Sequence, residues 1–244
     1  MDESKSVIVD DENRARAIRE MFSAIAPRYD FLNRLLSLGI DQGWRRTLVR
    51  MAVNKEPAAI LDVACGTGDV SLALRGKAPG SRIVGLDFSQ AMLDLARVKI
   101  ECAQARIELV AASAEALPFP AGGFDLVTIA FGIRNVVDQK KALAEFYRVL
   151  RPEGRLAVLE FSQPEVAWLR LLYNFYFFKI LPLIGGLFAR RSAYSYLPES
   201  VAKFPSREVF AGWLRDAGFL RCRYHSLTFG IATLYLAEKP EQDI

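Results

Sequence analysis

"AAILDVACGTGDVSLAL", residues 58–74, sets a short apolar run against a glycine-containing loop and follows it with a helical pattern. The run has the length and composition of a buried strand. Gly66 and Gly68 allow a tight turn and let a ligand approach the chain with no Cβ in the way. Asp62, near the end of the run, can orient the loop by accepting backbone N–H bonds. A strand, a glycine loop and a helix are the opening unit of an open α/β sheet, whose ligands bind beyond the carboxyl ends of the strands.

The same alternation continues outward from this unit. "SRIVGLD" precedes "SQAMLDLARVKI", where Ser89 can cap a helix with Met92, Leu95 and Ala96 on one face. "RIELVAA" and "FDLVTIAFG" read as further strands. A helix follows from about Gln139, with Leu143, Phe146, Tyr147 and Leu150 at helical spacing, and "GRLAVLEFS" comes after the turn "RPEG". Five strand-helix alternations predict right-handed crossovers and a doubly wound, mostly parallel sheet.

The C-terminal end breaks the pattern. "FLRCRYHSL" and "FGIATLYLAEK" are joined too tightly for parallel strands and predict an antiparallel pair added to the sheet. Residues 1–56 read as an N-terminal helical cap, with Ile18, Met21, Phe22 and Ile25 on its apolar face. Residues 57–244 form the α/β domain, interrupted by a helical insertion at about 163–205, and the whole reads as a single domain.

Composition narrows the partners. The net charge is +4, and Arg14, Arg16, Arg19, Arg28, Arg34, Arg45, Arg46 and Arg50 are spread without forming a dense basic run. Such spacing suits a solvated helical face or an anionic surface or ligand, and points away from nucleic acid. Three scattered cysteines and one histidine suggest neither a metal site nor a disulfide framework, and a reducing cytoplasm fits them. The acidic start, "MDESKSVIVDDENRAR", lacks the order of a signal peptide. The apolar stretch "WLRLLYNFYFFKILPLIGGLFA", residues 168–189, carries Arg170, Asn174 and Lys179 and is broken by Pro182 and Gly185-Gly186. It falls short of the ~20 uninterrupted apolar residues of a membrane span. It is either core or an apolar surface that touches lipid.

What the strands deliver at their tips defines the ligand. The loop "GTGD" is a GxG without the third glycine of a dinucleotide fingerprint, which argues against a pyrophosphate seated on a helix start, and so against NAD or FAD. Asp87 ends the second strand about 20 residues after the loop, where a carboxylate meets a ribose. A ribose site with no pyrophosphate site points to S-adenosylmethionine. After the third strand, Ser113 offers a hydroxyl to an adenine edge and Ala114 leaves room for the ring.

At this point the residues match a family. "LDVACGTGD", "GLDFS", "AEALPFP", "FDLVTIAFGIRNV" and "YRVLRPEGRLAVLEFS" resemble the class I S-adenosylmethionine-dependent methyltransferases, and specifically the ubiquinone/menaquinone biosynthesis C-methyltransferases, demethylmenaquinone methyltransferase among them. "MFSAIAPRYDFLNRLLSLGIDQGWRR", "YSYLPESVAKFPS" and "LTFGIATLYLAEK" extend the likeness from about Met21 to Lys239. The resemblance implies cofactor roles for Thr67, Asp87, Ser113 and Ala114, beside the loop glycines. Three positions depart from the family pattern. Ser113 stands where Asn or Asp is usual, Ala130 where serine is frequent, and Asp41 where histidine is customary.

The implied reaction adds a methyl group to a ring carbon of a prenylated quinol. A ring carbon becomes a competent nucleophile when a neighbouring hydroxyl loses its proton, so a base or a cation that lowers the phenol pKa is required. Arg134 can stabilise the developing phenolate and Asn135 can hold a second ring oxygen or a water. Alternatively, Arg134 pairs with a carboxylate and stabilises its loop. Tyr29 and Asp30 are further candidates, because the N-terminal segment is expected to fold over the cofactor; Tyr29 reads equally as a core aromatic. His225, the only histidine, is a candidate base because its unperturbed pKa is close to neutrality, but it lies in a strand of the added pair and reads rather as an edge residue. Cys65 reads as a small buried side chain. A polyprenyl tail would give residues 168–189 a purpose, as a channel lining or a resting surface on a bilayer. The competing readings are a non-catalytic scaffold of a quinone-biosynthesis complex and a methyltransferase for another lipophilic substrate.

Overall fold

The computed structural model describes residues 3–26, 29–37, 39–53, 55–164 and 198–241, together with positions 166, 168, 170, 171 and 175. Three helices come first: α1 (Glu3–Ile25), α2 (Tyr29–Leu36) and α3 (Ile40–Ala52). The alternating part runs β1 (Ala59–Val63), α4 (Asp69–Lys77), β2 (Arg82–Asp87), α5 (Gln90–Cys102), β3 (Glu108–Ala111), β4 (Phe124–Ala130), α6 (Gln139–Val149) and β5 (Leu150–Phe161). The chain ends with α7 (Arg207–Asp216), β6 (Leu220–Leu227) and β7 (Ala232–Glu238). The insertion and the apolar stretch 168–189 fall largely outside the described residues.

All seven strands join one sheet in the order β3-β2-β1-β4-β5-β7-β6. The first five are parallel, and β7 runs antiparallel to both β5 and β6, as the tight C-terminal connection requires. From β1 the chain winds outward to β3 and then returns to build the other half from β4. The space between the tips of β1 and β4 is therefore the topological switch point.

Helices on both faces explain why the central strands are apolar without interruption. Along β1 and β4 successive side chains alternate between two cores. Ile60 and Leu126 pack with Trp44, Leu48 and Leu74 under α3 and α4. Leu61 and Val127 pack with Leu143, Phe146 and Phe210 under α6 and α7. The helices before residue 57 are joined to the sheet through α3, where Leu48 is fully buried. Ile18 of α1 is buried as expected, while Met21, Phe22 and Ile25 are half-buried.

Two expectations require correction. No helix forms among residues 112–123 between β3 and β4, because Pro118, Pro120 and the pair Gly122-Gly123 leave too few residues that can propagate one. This crossover is held from α6 instead. Leu117 N–H donates to Glu145 Oε2 at 2.8 Å, and Arg148 donates to the carbonyls of Phe119 at 2.7 Å and Leu117 at 3.0 Å. Ser89 begins α5, but its side chain makes no capping bond. Its hydroxyl lies 3.2 Å from that of Ser23 and ties α1 to the start of α5.

Candidate active site

The glycine loop closes β1 under backbone strain. Ala64, Gly66 and Gly68 all lie at positive φ, at 50°, 55° and 85°. Glycine accepts this freely, whereas Ala64 does so at a cost of about 1–3 kcal/mol, the kind of strain that gathers at ligand sites. The tip of β4 meets this loop. Phe131 is also left-handed, at φ 59°, and a Cβ on Gly132 would lie 2.5 Å from that of Ala64. Only glycine lets the two tips approach so closely. A Cβ on Gly66, by contrast, would meet nothing within 4 Å, so the loop opens onto free space.

Two buried aspartates organise this edge. The loop is oriented by Asp87, not by Asp62 as the sequence suggests. Asp87 Oδ2 accepts from Gly66 N–H at 2.9 Å and Oδ1 from Ser89 N–H at 2.9 Å. Burial raises its carboxyl above the ordinary range, against the lowering effect of backbone bonds from Ser89, Gly66 and Phe88. Each oxygen keeps a lone pair for a further donor such as a ribose hydroxyl.

Asp62 lies deeper and serves the frame. It accepts hydroxyl bonds from Ser71 of α4 at 2.5 Å and from Thr128 of β4 at 2.8 Å, which clamps the two elements that flank the loop. Burial pushes its carboxyl up to about 6, opposed by those two bonds and by the charge of Arg45, and reinforced by Asp87. The native state therefore holds this proton more tightly than the unfolded chain does. The stability that Asp62 contributes is fully present below its unfolded pKa of about 3.9 and is lost as pH rises through about 6. Asp62→Asn lacks this dependence. Its stability relative to the wild type should rise by about 2 kcal/mol between about pH 4.5 and about pH 7.5, read by urea unfolding of both proteins. Parallel curves would remove Asp62 as the titrating group.

The N-terminal helices reach the same place. Tyr29 packs edge-on against Phe22 with ring centres 6.1 Å apart, and Phe22 meets Phe88, the residue after Asp87, at 6.4 Å. Asp30 accepts the Thr67 hydroxyl at 2.6 Å. Lys99 of α5 donates to Thr67 Oγ1 at 3.0 Å and to Asp69 at 2.7 Å, and makes a close ion pair with Asp30. The Thr67 side chain is thus engaged by the protein itself. Asp41 is buried as well. It accepts from Ser37 Oγ at 2.7 Å and lies 3.5 Å from Arg45 Nε.

Arg134 follows β4 in a single 3-10 turn, Ile133–Asn135, and is buried. Its Nη1 donates to the Phe131 carbonyl at 2.9 Å and to Glu160 Oε1 at 2.6 Å, and its Nε donates to Ser200 at 3.3 Å. The guanidinium also lies over the Phe161 ring, 5.3 Å from its centre. The carboxylate partner anticipated as one of two readings therefore exists, and it is Glu160 at the tip of β5. Among the described residues, Nη2 donates to no acceptor. Asn135 Nδ2 donates to the Phe131 carbonyl at 3.3 Å, so both residues brace the left-handed turn.

Ser113 and Ala114 lie just beyond β3, the serine exposed and the alanine buried. Ser113 Oγ accepts from Glu115 N–H at 3.2 Å, which shapes a local turn. His225 is exposed on β6, the outermost strand, as its edge-strand reading requires. Burial holds the Cys65 thiol well above its ordinary pKa, in keeping with a small core side chain. Sequence reasoning missed Glu160 and Lys99. Glu160 had a signal, an acidic residue within the apolar run "RLAVLEF", whereas Lys99 had none.

Known proteins resemble this chain in sequence and in fold. The chain matches the ubiE/COQ5 methyltransferase family over residues 8–239. It is 52% identical over 229 residues to the ubiquinone/menaquinone biosynthesis C-methyltransferase UbiE of Geotalea uraniireducens, covering 93% of this chain and 97% of that protein. To the demethylmenaquinone methyltransferase of Thermus thermophilus it is 52% identical over 221 residues, covering 90% of this chain and all of the other. The crystal structure of an S-adenosylmethionine-dependent methyltransferase of Thermotoga maritima superposes with a TM-score of 0.65 at 20% identity, covering 91% and 99% of the two chains, which bears on the fold alone. On the strength of the match over residues 8–239 and of these relatives, the chain belongs to the ubiE/COQ5 methyltransferase family.

Proposed function

We propose that this protein transfers the methyl group of S-adenosylmethionine to a ring carbon of a prenylated quinol in menaquinone or ubiquinone biosynthesis, converting a demethylmenaquinol to menaquinol. The observation that carries this reading is Asp87, anchored by Gly66 N–H at the mouth of a loop that opens onto free space, in a chain of this methyltransferase family. Those residues fit an adenosyl cofactor. Asp87 would accept from the ribose hydroxyls, Gly66 and Gly68 would let the cofactor lie against the backbone, and Ser113 and Ala114 would border the adenine. A non-catalytic scaffold would have no need to keep Asp87 and both glycines.

When bound, the sulfonium supplies an electrophilic methyl group with a good leaving group. The protein's part is to present the quinol carbon in line with it and to favour loss of the neighbouring hydroxyl proton. Arg134 is the candidate cation beside that oxygen, with Nη1 held by Glu160 and Nη2 the nitrogen that would serve it. A phenolate next to a buried guanidinium is stabilised by a charge-assisted hydrogen bond, which shifts the phenol toward ionisation near neutral pH. Asn135 and Tyr29 complete the candidate set around the ring.

The prenyl tail calls for an apolar exit. Trp168, Leu171 and Phe175 are 65%, 72% and 58% exposed and recur at one helical face, in the segment that leaves the tip of β5. Phe229, in the turn between β6 and β7 at the same edge of the sheet, is 77% exposed. These side chains suit peripheral contact with a bilayer that holds the tail. Among the described residues no helix is long and apolar enough to cross one.

The test supplies labelled S-adenosylmethionine and reduced demethylmenaquinone, or its demethylated benzoquinone counterpart, in liposomes. Label is expected in the quinol ring, and the protein is expected to sediment with the vesicles. Cofactor binding without transfer to either quinol would end the enzyme reading. Protein left in the supernatant with liposomes of every composition would end the membrane part.

A further inference from the structure

The contact between the N-terminal helices and the glycine loop is polar and passes through few atoms. Thr67 gives its one hydroxyl proton to Asp30 of α2 and accepts from Lys99 of α5, and Lys99 also bridges Asp30 and Asp69. Three elements separated by more than 30 residues in sequence thus meet on one hydroxyl and one ammonium. The side chains of Lys99, Asp30 and Asp69 are 28%, 24% and 23% exposed. They lie at the water's edge, where an ion pair can open and reform.

Besides this contact, the helix that carries Asp30 rests on α1 through Tyr29 and Phe22. α2 has 8 residues, too few for a helix that persists without tertiary support. It joins α3 through Gly39, which sits at φ 76° with open space where a Cβ would be, whereas α3 is fixed in the core by Trp44 and Leu48. A short helix, a left-handed glycine beside it and a polar contact at its start have the form of a hinged cover. Burial alone would raise the Asp30 carboxyl, but the bonds from Lys99 and Thr67 outweigh it and hold the group below its ordinary value.

We propose that Asp30, Thr67 and Lys99 form a latch that closes α2 over the glycine loop, so that cofactor entry and product release wait on its opening. The proposal rests on the reading that S-adenosylmethionine binds at this loop. Lys99 and Asp30 are positioning residues, acting through Thr67 and the loop. Lid opening often limits turnover in enzymes that enclose their substrates, and differences in affinity fall mostly on the off-rate.

The test measures dissociation of S-adenosylhomocysteine by stopped-flow competition from the full chain, from Asp30→Asn, from Lys99→Met and from the double variant. Each single change is expected to speed release about tenfold, and the double no further, because both break one coupled contact. Hydrogen exchange without ligand should quicken across α2 in each variant and stay unchanged in α3 and β1. Release at the wild-type rate from both single variants overturns the latch, and so does an additive, roughly hundredfold acceleration in the double. If the wild type binds no S-adenosylhomocysteine, the cofactor reading fails instead. The exchange measurement then still decides whether Asp30 and Lys99 hold α2 down, and unchanged exchange overturns the latch.

Discussion

Asp87→Ala is expected to lower affinity for S-adenosylmethionine by a hundredfold or more while leaving a folded protein. Two losses combine. The ribose hydroxyls lose a charged acceptor, and hydrogen bonds to charged groups contribute about 1.5–3 kcal/mol each. The loop loses its anchor as well, since Gly66 N–H and Ser89 N–H both end on this carboxylate. A hundredfold change corresponds to about 2.7 kcal/mol, which one lost ribose bond and some loosening of the loop already reach. Stability should change much less. Removing the carboxylate relieves the burial that raises its pKa, and this offsets part of the cost of two unpaired amides. Calorimetric titration with S-adenosylmethionine, paired with thermal unfolding, reads both quantities. Affinity within threefold of the wild type would remove Asp87 from the cofactor site.

How much of this was legible in the sequence follows from which forces act locally. The parallel sheet was readable because burial on both faces leaves long apolar runs such as "FDLVTIA", and because the C-terminal pair was joined too tightly to be parallel. The missing helix between β3 and β4 was also written there, in Pro118 and Pro120, but the expected alternation overrode them. The roles of the two aspartates could not be told apart from spacing. Both lie at or near the end of an apolar run, and only the tertiary approach of Ser71 and Thr128 to Asp62, and of Gly66 N–H to Asp87, distinguishes a frame from a loop anchor. Lys99 was invisible for a similar reason. A lysine near the end of an amphipathic helix is ordinary, and its three partners come from two other parts of the chain. Arg134 was conspicuous, yet its carboxylate lies 26 residues further on, in a different strand.

That pair sets the second large effect. Arg134→Ala should cost both turnover and fold stability, because Glu160 is fully buried and the side chain removed is its ion-pair partner. Breaking a buried pair on one side costs about 3–5 kcal/mol, so loss of activity in this variant alone could not separate a quinol ligand from a loop brace. The double variant Arg134→Gln, Glu160→Gln separates them. Its two amides can bond each other with no charge left in the core, and most of the lost stability should return. Turnover should not return. A neutral amide cannot favour the phenolate as a guanidinium does, and loss of one such electrostatic contact at a developing anion costs about 100–1,000-fold in rate. The expected result is a double variant that unfolds near the wild-type denaturant midpoint, binds S-adenosylmethionine normally and methylates the quinol at least a hundredfold more slowly. Recovery of turnover together with stability would assign Arg134 to the loop alone. Its contacts to Phe131, Glu160, Ser200 and Phe161 would then be its purpose, and the proton-withdrawing group would have to be sought elsewhere at the mouth of the site.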